Sequence, residues 1–389
     1  MNILLIHPHD IHSPLEPWTV RIVSFAREFV KKGHNVKLAH FPRLDNKRKV
    51  SLATDGIEVI AFNRKTGPYV FLANIIKMWR LVRGADIVHF QKCFHWASLP
   101  ALVAGYLAKK PLHYDWDDWE EKIYCLSHKK PQGLIVLFLR ILERWIPKLV
   151  DTISVSSEYL KNLCLGLGID KEKISKVPVG ADLEKFNPHI SQEAIEAIRK
   201  RYGLNGPVVI YLGQLHSAQY ARIFLEAADT ISKQDGKVSF MIIGDGSLLL
   251  DLERFSKNLR LKNIIFTGYV PHQEIPPYIA TADICVASFE DNVVTRCKSP
   301  LKIAEYLAAG KPIVASNVGE VKYMLGDAGI LVEPGQPQPL ARQITHLLSD
   351  KALRDELGTK ARQRAKDIYN WEASSETLLK AYKLAIERQ

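Results

Sequence analysis

The chain has 389 residues, 47% hydrophobic and 24% charged, with a formal net charge of +11. That length exceeds one ordinary domain and supplies apolar residues for two cores. The five cysteines (93, 125, 164, 285, 297) show neither paired nor metal-type spacing, so a disulfide framework is excluded and reduced thiols in a cytoplasmic protein are expected. The longest apolar run, Leu134 to Leu139, stops at Arg140 and is too short to span a bilayer.

The opening MNILLIHP lacks a basic leader region and reads as a first buried strand. Further strands are predicted at 35–40, 57–62, 86–90, 111–115, 152–155 and 174–178, with helices at 19–32, 69–83, 96–109, 133–149 and 157–166. The rhythm then restarts, with strands at 207–213, 238–243, 263–267, 283–287, 312–315 and 330–332. Helices at 217–233, 246–260, 299–309 and 337–349 alternate with these, and 351–389 reads as helical. Alternating βα units of this kind predict an α/β protein of two doubly wound, Rossmann-like domains. The domains are expected at 1–190, with a final helix at 371–389 returning to it, and at 191–370. Ligands of such sheets bind beyond the carboxyl ends of the strands, here in a cleft between the two sheets.

Charge is uneven. Residues 1–150 hold 23 Lys and Arg against 13 Asp and Glu, so nearly all of the positive excess lies in the first half. Helix 69–83 sets Lys77, Arg80 and Arg83 beside Phe71, Ile75 and Trp79. Helix 133–149 is apolar around a narrow stripe of Arg140, Glu143, Arg144 and Lys148. Such helices suit either an anionic membrane surface or packing against a sheet with the basic edge in water. No nucleic-acid-binding motif accompanies the positive charge.

Two stretches carry most of the chemistry. SPLKIAEYLAAGKP, 299–312, opens a helix at Ser299, Pro300 and Leu301 and leaves it at Gly310. Its N-terminus offers N–H groups to a phosphate, and Glu305 behind it can accept the two hydroxyls of a ribose. HYDWDDWEE, 113–121, follows a first-domain strand. Asp115, Asp117 and Asp118 could orient hydroxyls, move a proton or bind a metal, and Trp116 could stack on a sugar ring; the alternative is a solvated loop.

With SSEYL at 156–160, KVPVGADLEKFNP at 176–188, IIGDGSLLLDLE at 242–253 and GYVPHQEIPPYIATADICVAS at 268–288, the chain resembles the family 4 glycosyltransferases of the GT-B fold. Their branch with an SPxKxxEY segment in place of two glutamates is the nearest likeness. The resemblance implies a retaining hexosyltransferase that moves a hexose from a UDP- or GDP-sugar to a hydroxyl of a glycan, lipid-linked glycan or small molecule. It implies no cofactor and no bound metal. The donor belongs to the second domain and the acceptor to the first.

Residue by residue, the donor would meet Gly213 and Gln214, Gly244 and Asp245, Ser299, Pro300, Leu301 and Glu305. Lys302 would supply the cation that the family places at positions matching Gln214 and Gln219, and Arg222, Arg296 and Lys298 are further candidates. The acceptor would meet Trp18, Thr19, Arg21, His89, Asp115 and Trp116, with Asp117 and Asp118 as catalytic acids. Cys297 stands where the family has its first glutamate. A catalytically idle binding protein and a sugar-nucleotide 2-epimerase of the same fold remain alternatives, and a peripheral site on the inner face of a membrane is part of the expectation.

Overall fold

The computed structural model describes all residues except 13–16, 43–55, 66, 129 and 217–219. Glu16 and Gln219 therefore lie outside the described residues. The chain divides into two compact units. Unit 1 holds Met1–Val179, Cys297–Ser299 and Trp371–Gln389, and unit 2 holds Gly180–Arg296 and Pro300–Asn370.

Unit 1 is built on seven parallel strands: β1 (Asn2–His7), β2 (Asn35–His40), β3 (Ile57–Ala61), β4 (Ile87–Gln91), β5 (Leu112–Trp116), β6 (Thr152–Val155) and β7 (Ile174–Lys176). Their order is β3-β2-β1-β4-β5-β6-β7, so the sheet reverses direction between β1 and β4. The helices between them are α1 (Pro17–Lys31), α2 (Pro68–Arg83), α3 (His95–Ala108), α4 (Glu120–Ser127), α5 (Gly133–Trp145) and α6 (Glu158–Gly166). Burial on both faces explains why β1 reads as an apolar run, and it also encloses the polar residues of β4, β5 and β6, among them His89, His113, Asp115 and Ser154.

Unit 2 has six parallel strands: β8 (Val208–Leu212), β9 (Ser239–Ile243), β10 (Ile264–Phe266), β11 (Ile284–Ala287), β12 (Ile313–Ser316) and β13 (Ile330–Val332). The order β10-β9-β8-β11-β12-β13 reverses between β8 and β11. Its helices include α7 (Gln192–Tyr202), α8 (Tyr220–Ser232), α9 (Leu249–Asn258) and α10 (Ile275–Thr281). After α11 (Val293–Cys297) come α12 (Leu301–Ala308), α13 (Val321–Leu325), α14 (Pro337–Ser349) and α15 (Lys351–Asp367). The last helix, α16 (Trp371–Glu387), belongs to unit 1, where Trp371 meets Phe25 edge-on at 5.5 Å and Ser374 donates to the Pro178 carbonyl.

The alternating elements predicted from the sequence are present. Short helices α4, α10, α11 and α13 were not predicted, nor was α7. The stretch 351–389 is not one helix: Asn370 turns its amide back onto the Ala365 and Lys366 carbonyls and ends α15 before α16 starts.

Helix α5 buries Leu139, Leu142 and Glu143 and leaves most of its other apolar residues exposed. Glu143 is 2% exposed and uses both carboxylate oxygens to accept the Glu120 and Glu121 amides, capping α4. Leu134 and Trp145, by contrast, are 83% and 59% exposed, and Ile135, Leu137, Phe138 and Ile141 are exposed with them.

Candidate functional site

In unit 1, the carboxyl ends of β1, β4 and β5 meet at the point where strand order reverses, the usual ligand position in such sheets. The residue after β4 is Lys92. Its backbone is left-handed, with φ 64°, and its amide donates to the Asp115 carbonyl of β5. The side chain is 2% exposed and reaches three carboxylates: Glu120 at 2.6 Å, and Asp117 and Asp118 at 3.2 Å each. Its ammonium also lies 4.9 Å from the Trp18 ring.

A line of polar groups continues from this cluster. Gln91 donates its amide to Asp117 at 2.8 Å, and its oxygen lies 2.8 Å from His7 Nδ1. That oxygen only accepts, so His7 carries its proton on Nδ1 and uses Nε2 to accept from Thr19, 3.3 Å away. Burial drives the His7 pKa down to about 3, so the ring is neutral.

Asp117 is pushed up to about 7. Burial is the main cause; Lys92 opposes it, and the neighbouring Asp118 and Asp115 push it further. A carboxyl poised near neutrality is suited to taking or giving a proton.

Several residues expected to meet the acceptor are internal instead. Asp115 is fully buried and accepts two 2.8 Å hydrogen bonds from Arg21, while Ser154 donates at 2.5 Å to Oδ1, which also accepts one of the Arg21 bonds. Burial alone would raise its pKa, but the Arg21 guanidinium and these hydrogen bonds hold it well below the usual carboxylate range. Arg21 spends a further donor on the Val177 carbonyl. His89 is buried against the Tyr382 hydroxyl, 2.7 Å away, and burial lowers its pKa to about 4. Trp116, 1% exposed, packs in the core near Tyr114 and has no face to offer a sugar. The expectation that Arg21, His89, Asp115 and Trp116 touch the acceptor is therefore corrected: all four are interior groups of unit 1. Thr19 is buried as well and ends the His7 line, whereas Trp18 and Asp118 are partly exposed.

In unit 2, the loops after β8 and β9 lie against one another. Gly213 donates to the Ile243 carbonyl, Leu215 donates to Asp245, and the Asp245 carboxylate caps the Gly246 amide at 2.7 Å. A Cβ on Gly244 would stand 1.9 Å from the Gly213 carbonyl oxygen, and one on Gly246 would stand 2.1 Å from that of Leu215, so only glycine permits this approach. Gln214 is exposed at the loop crest. Lys302, in the first turn of α12, places its ammonium over the Tyr211 ring at 4.2 Å and so close to Gly213 that a Cβ there would be 2.6 Å from it. Pro300 is the N-cap of α12 and provides no side-chain cap, which leaves Leu301 to open the helix. Ser299, placed with the donor residues from sequence, groups with unit 1. The Tyr306 hydroxyl accepts from the Leu212 amide and lies 3.5 Å from the Val286 carbonyl, wedging β8 from β11 where the sheet reverses.

Glu305 is 3% exposed, and His272 Nε2 sits 2.5 Å from its carboxylate. Burial works against a charged ring, yet the Glu305 charge and hydrogen bond outweigh it and raise the His272 pKa. Two of the other candidate cations are engaged elsewhere. Arg296 forks onto Asp291 and Arg222 lies over Phe255. Cys297 is buried in the unit 1 core, its carbonyl accepting from Ser157, and burial pushes its thiol well up.

Lys92, Gln91, His7, Glu120 and His272 were not singled out from the sequence. A lone lysine at a strand end looks solvated until the β4–β5 register, Gln91 opposite Asp115, brings it beside the acids. Among the described residues, no group of three or more His, Cys, Asp and Glu is arranged to hold a metal.

Comparison with known proteins assigns the two halves. The Glycosyltransferase Family 4 profile matches residues 19–185, and the Glycosyl transferases group 1 profile matches 206–350. The chain belongs to the family 4 glycosyltransferases. It is 25% identical over 248 residues to the alpha-monoglucosyldiacylglycerol synthase of Streptococcus pneumoniae, covering 62% of this chain and 54% of that one. It is 28% identical over 193 residues to the alpha-D-kanosaminyltransferase of Streptomyces kanamyceticus, covering 48% of each. These alignments span about half the length of such relatives. The Anabaena HepE structure, solved with UDP and glucose, superposes with a TM-score of 0.77 at 18% identity over 98% of both chains, which establishes this glycosyltransferase's fold as GT-B.

Proposed function

We propose that this glycosyltransferase is a retaining hexosyltransferase. It takes its hexose from a nucleotide-diphosphate sugar, UDP- or GDP-linked, held by unit 2. The observation that carries this reading is the set of groups at the reversal point of the second sheet. The paired glycine loops, the start of α12 and the Lys302 ammonium lie together there, with Glu305 four residues into the helix. A helix start and a cation suit a diphosphate, whose charge grows as the sugar leaves. Glu305 suits the ribose diol. The relative solved with UDP and glucose supports the donor class.

The acceptor hydroxyl belongs to unit 1, beside Asp117 and Asp118. Its O–H bond breaks and its proton passes to a carboxylate. Its oxygen bonds the anomeric carbon on the same face from which the diphosphate departs, so the configuration is kept, and the bond from that carbon to the diphosphate oxygen breaks with its electron pair leaving on the diphosphate. No residue of the reading requires a metal.

The acceptor is a glycan, a lipid-linked glycan or a small molecule. The exposed apolar face of α5 favours a lipid-linked one, reached by peripheral attachment to an anionic membrane. Leu134, Phe138 and Trp145 supply the apolar contact, with Arg144 and Lys148 beside them and a basic first half behind. Among the described residues no helix is long and apolar enough to cross a membrane. The relative named alpha-monoglucosyldiacylglycerol synthase, whose name contains a lipid, supports an acceptor with a lipid part.

The test is a thermal-shift panel of UDP-, GDP-, ADP- and TDP-sugars. A donor at 100 times its Kd stabilises by about 2.7 kcal/mol. A shift with one base class supports the reading, and no shift with any of the four overturns it.

A further inference from the structure

The three carboxylates around Lys92 present an excess of negative charge in a buried place. With one ammonium among Asp117, Asp118 and Glu120, full ionisation would leave two uncompensated charges at the end of β4. Each added charge there is costly, so the cluster retains a proton near neutral pH. We propose that Lys92 is a positioning residue that sets the charge state of Asp117, keeping that carboxylate available to take the acceptor's proton, and that it does so without touching either substrate.

The geometry separates Lys92 from an ordinary core ion pair. Its ammonium bridges two acids of the β5–α4 loop and the first residue of α4, at 2.6 to 3.2 Å, instead of pairing with one of them. Its left-handed backbone holds the side chain over that loop, and the Trp18 ring covers it. Asp117 receives one neutral hydrogen bond, from Gln91, which orients it without deciding its charge. The charged and titratable groups facing Asp117 are Lys92 after β4, Asp118 on its own loop, and Asp115 of β5 with Arg21 of α1. Behind Glu120 stand Glu143 of α5 and Lys298, and His7 reaches Asp117 only through Gln91. Arg21 is committed to Asp115, so Lys92 is the cation in contact with Asp117 among the described residues.

Lys92 lowers the Asp117 pKa against burial, and Asp118 raises it. Removing the ammonium therefore moves the point at which Asp117 ionises to higher pH, and removing a neighbouring carboxylate moves it lower.

This inference rests on the reading of Asp117 as the proton acceptor, and the experiment separates the two. Transfer rate is measured from pH 5 to 9 at saturating donor for the wild type, Lys92→Met, Lys92→Arg, Glu120→Gln and Asp117→Asn, with donor affinity and melting temperature recorded for each. Lys92→Met is expected to move the acid limb of the profile upward by one pH unit or more and to lower the rate at pH 7 about fivefold or more. Lys92→Arg should return the limb toward its original position, and Glu120→Gln should move it down. Donor affinity should change less than twofold throughout. A limb that stays in place in Lys92→Met overturns the inference. Should that variant not fold, an unmoved limb in Glu120→Gln overturns it instead. Normal transfer by Asp117→Asn at every pH overturns the underlying reading of Asp117, wherever the Lys92 limb falls.

Discussion

Arg21 and Asp115 face each other through two parallel 2.8 Å hydrogen bonds at a depth where neither side chain is more than 3% exposed. The fork geometry suits a guanidinium and a carboxylate, and burial makes each partner indispensable to the other. Asp115→Asn or Arg21→Met should destabilise unit 1 by about 3–5 kcal/mol, because each leaves a buried charge unpaired. Denaturant unfolding measures this. The carboxylate's lowered pKa adds a pH sign: its contribution is full above the unfolded value of 3.8 and is lost as pH falls below it.

Trp116 gives a second stability prediction where sequence reasoning expected a binding one. Its ring fills the core, so Trp116→Ala should cost about 3–5 kcal/mol of unfolding free energy. An intact melting transition with selectively weakened acceptor binding would contradict this placement.

His272 and Glu305 make a prediction about the donor. A hydrogen bond to a charged group contributes about 1.5–3 kcal/mol, so Glu305→Ala, losing two to a ribose, should weaken donor binding or turnover by two or more orders of magnitude. His272→Ala should have a smaller effect on donor affinity, since it orients the carboxylate only. The raised His272 pKa means that the pair's contribution to stability is full below the ring's ordinary 6.5 and is lost as pH rises through the raised value. The melting temperatures of wild type and His272→Ala should therefore converge as pH climbs.

The exposed face of α5 predicts vesicle binding. Burying one such apolar side chain contributes about 1.5–3 kcal/mol, so replacing both Leu134 and Trp145 by Asp should weaken binding to vesicles containing anionic lipid by more than tenfold. Salt should weaken wild-type binding, since exposed charges are screened beyond about 10 Å at 0.1 M. Equal binding to neutral vesicles, or none to either kind, would remove the membrane from the proposal.

The two-sheet architecture was legible because long buried strands and periodic helices carry strong local signals. The helices missed were of another kind. α10 is seven residues long with two prolines, and α13 has only five residues. The candidate residues of the second unit were readable from SPLKIAEYLAAGKP, since a helix start, a lysine and a glutamate share one segment, although Ser299 groups with unit 1. The first-unit site was only half readable. HYDWDDWEE drew notice to its acids, but β5 is covered on both faces, so its consecutive residues Asp115 and Trp116 are both buried, while Asp118, past the strand end, is partly exposed. Lys92 and His272 lie 25 and 33 residues from the acids they serve, Asp117 and Glu305, and pattern alone carries no information across such gaps.

The assignment of α16 to unit 1 bears on how the chain is made. On the ribosome, unit 1 is begun first and completed last. Trp371, Ser374 and Tyr382, which cover Phe25, Pro178 and His89, emerge only after the 191 residues 180–370 have been added. At about 5–20 residues per second that is an interval of about 10–40 s during which the apolar patch awaiting α16 stands uncovered. Nascent unit 1 is thus a natural client for a chaperone that shelters it until the final helix arrives.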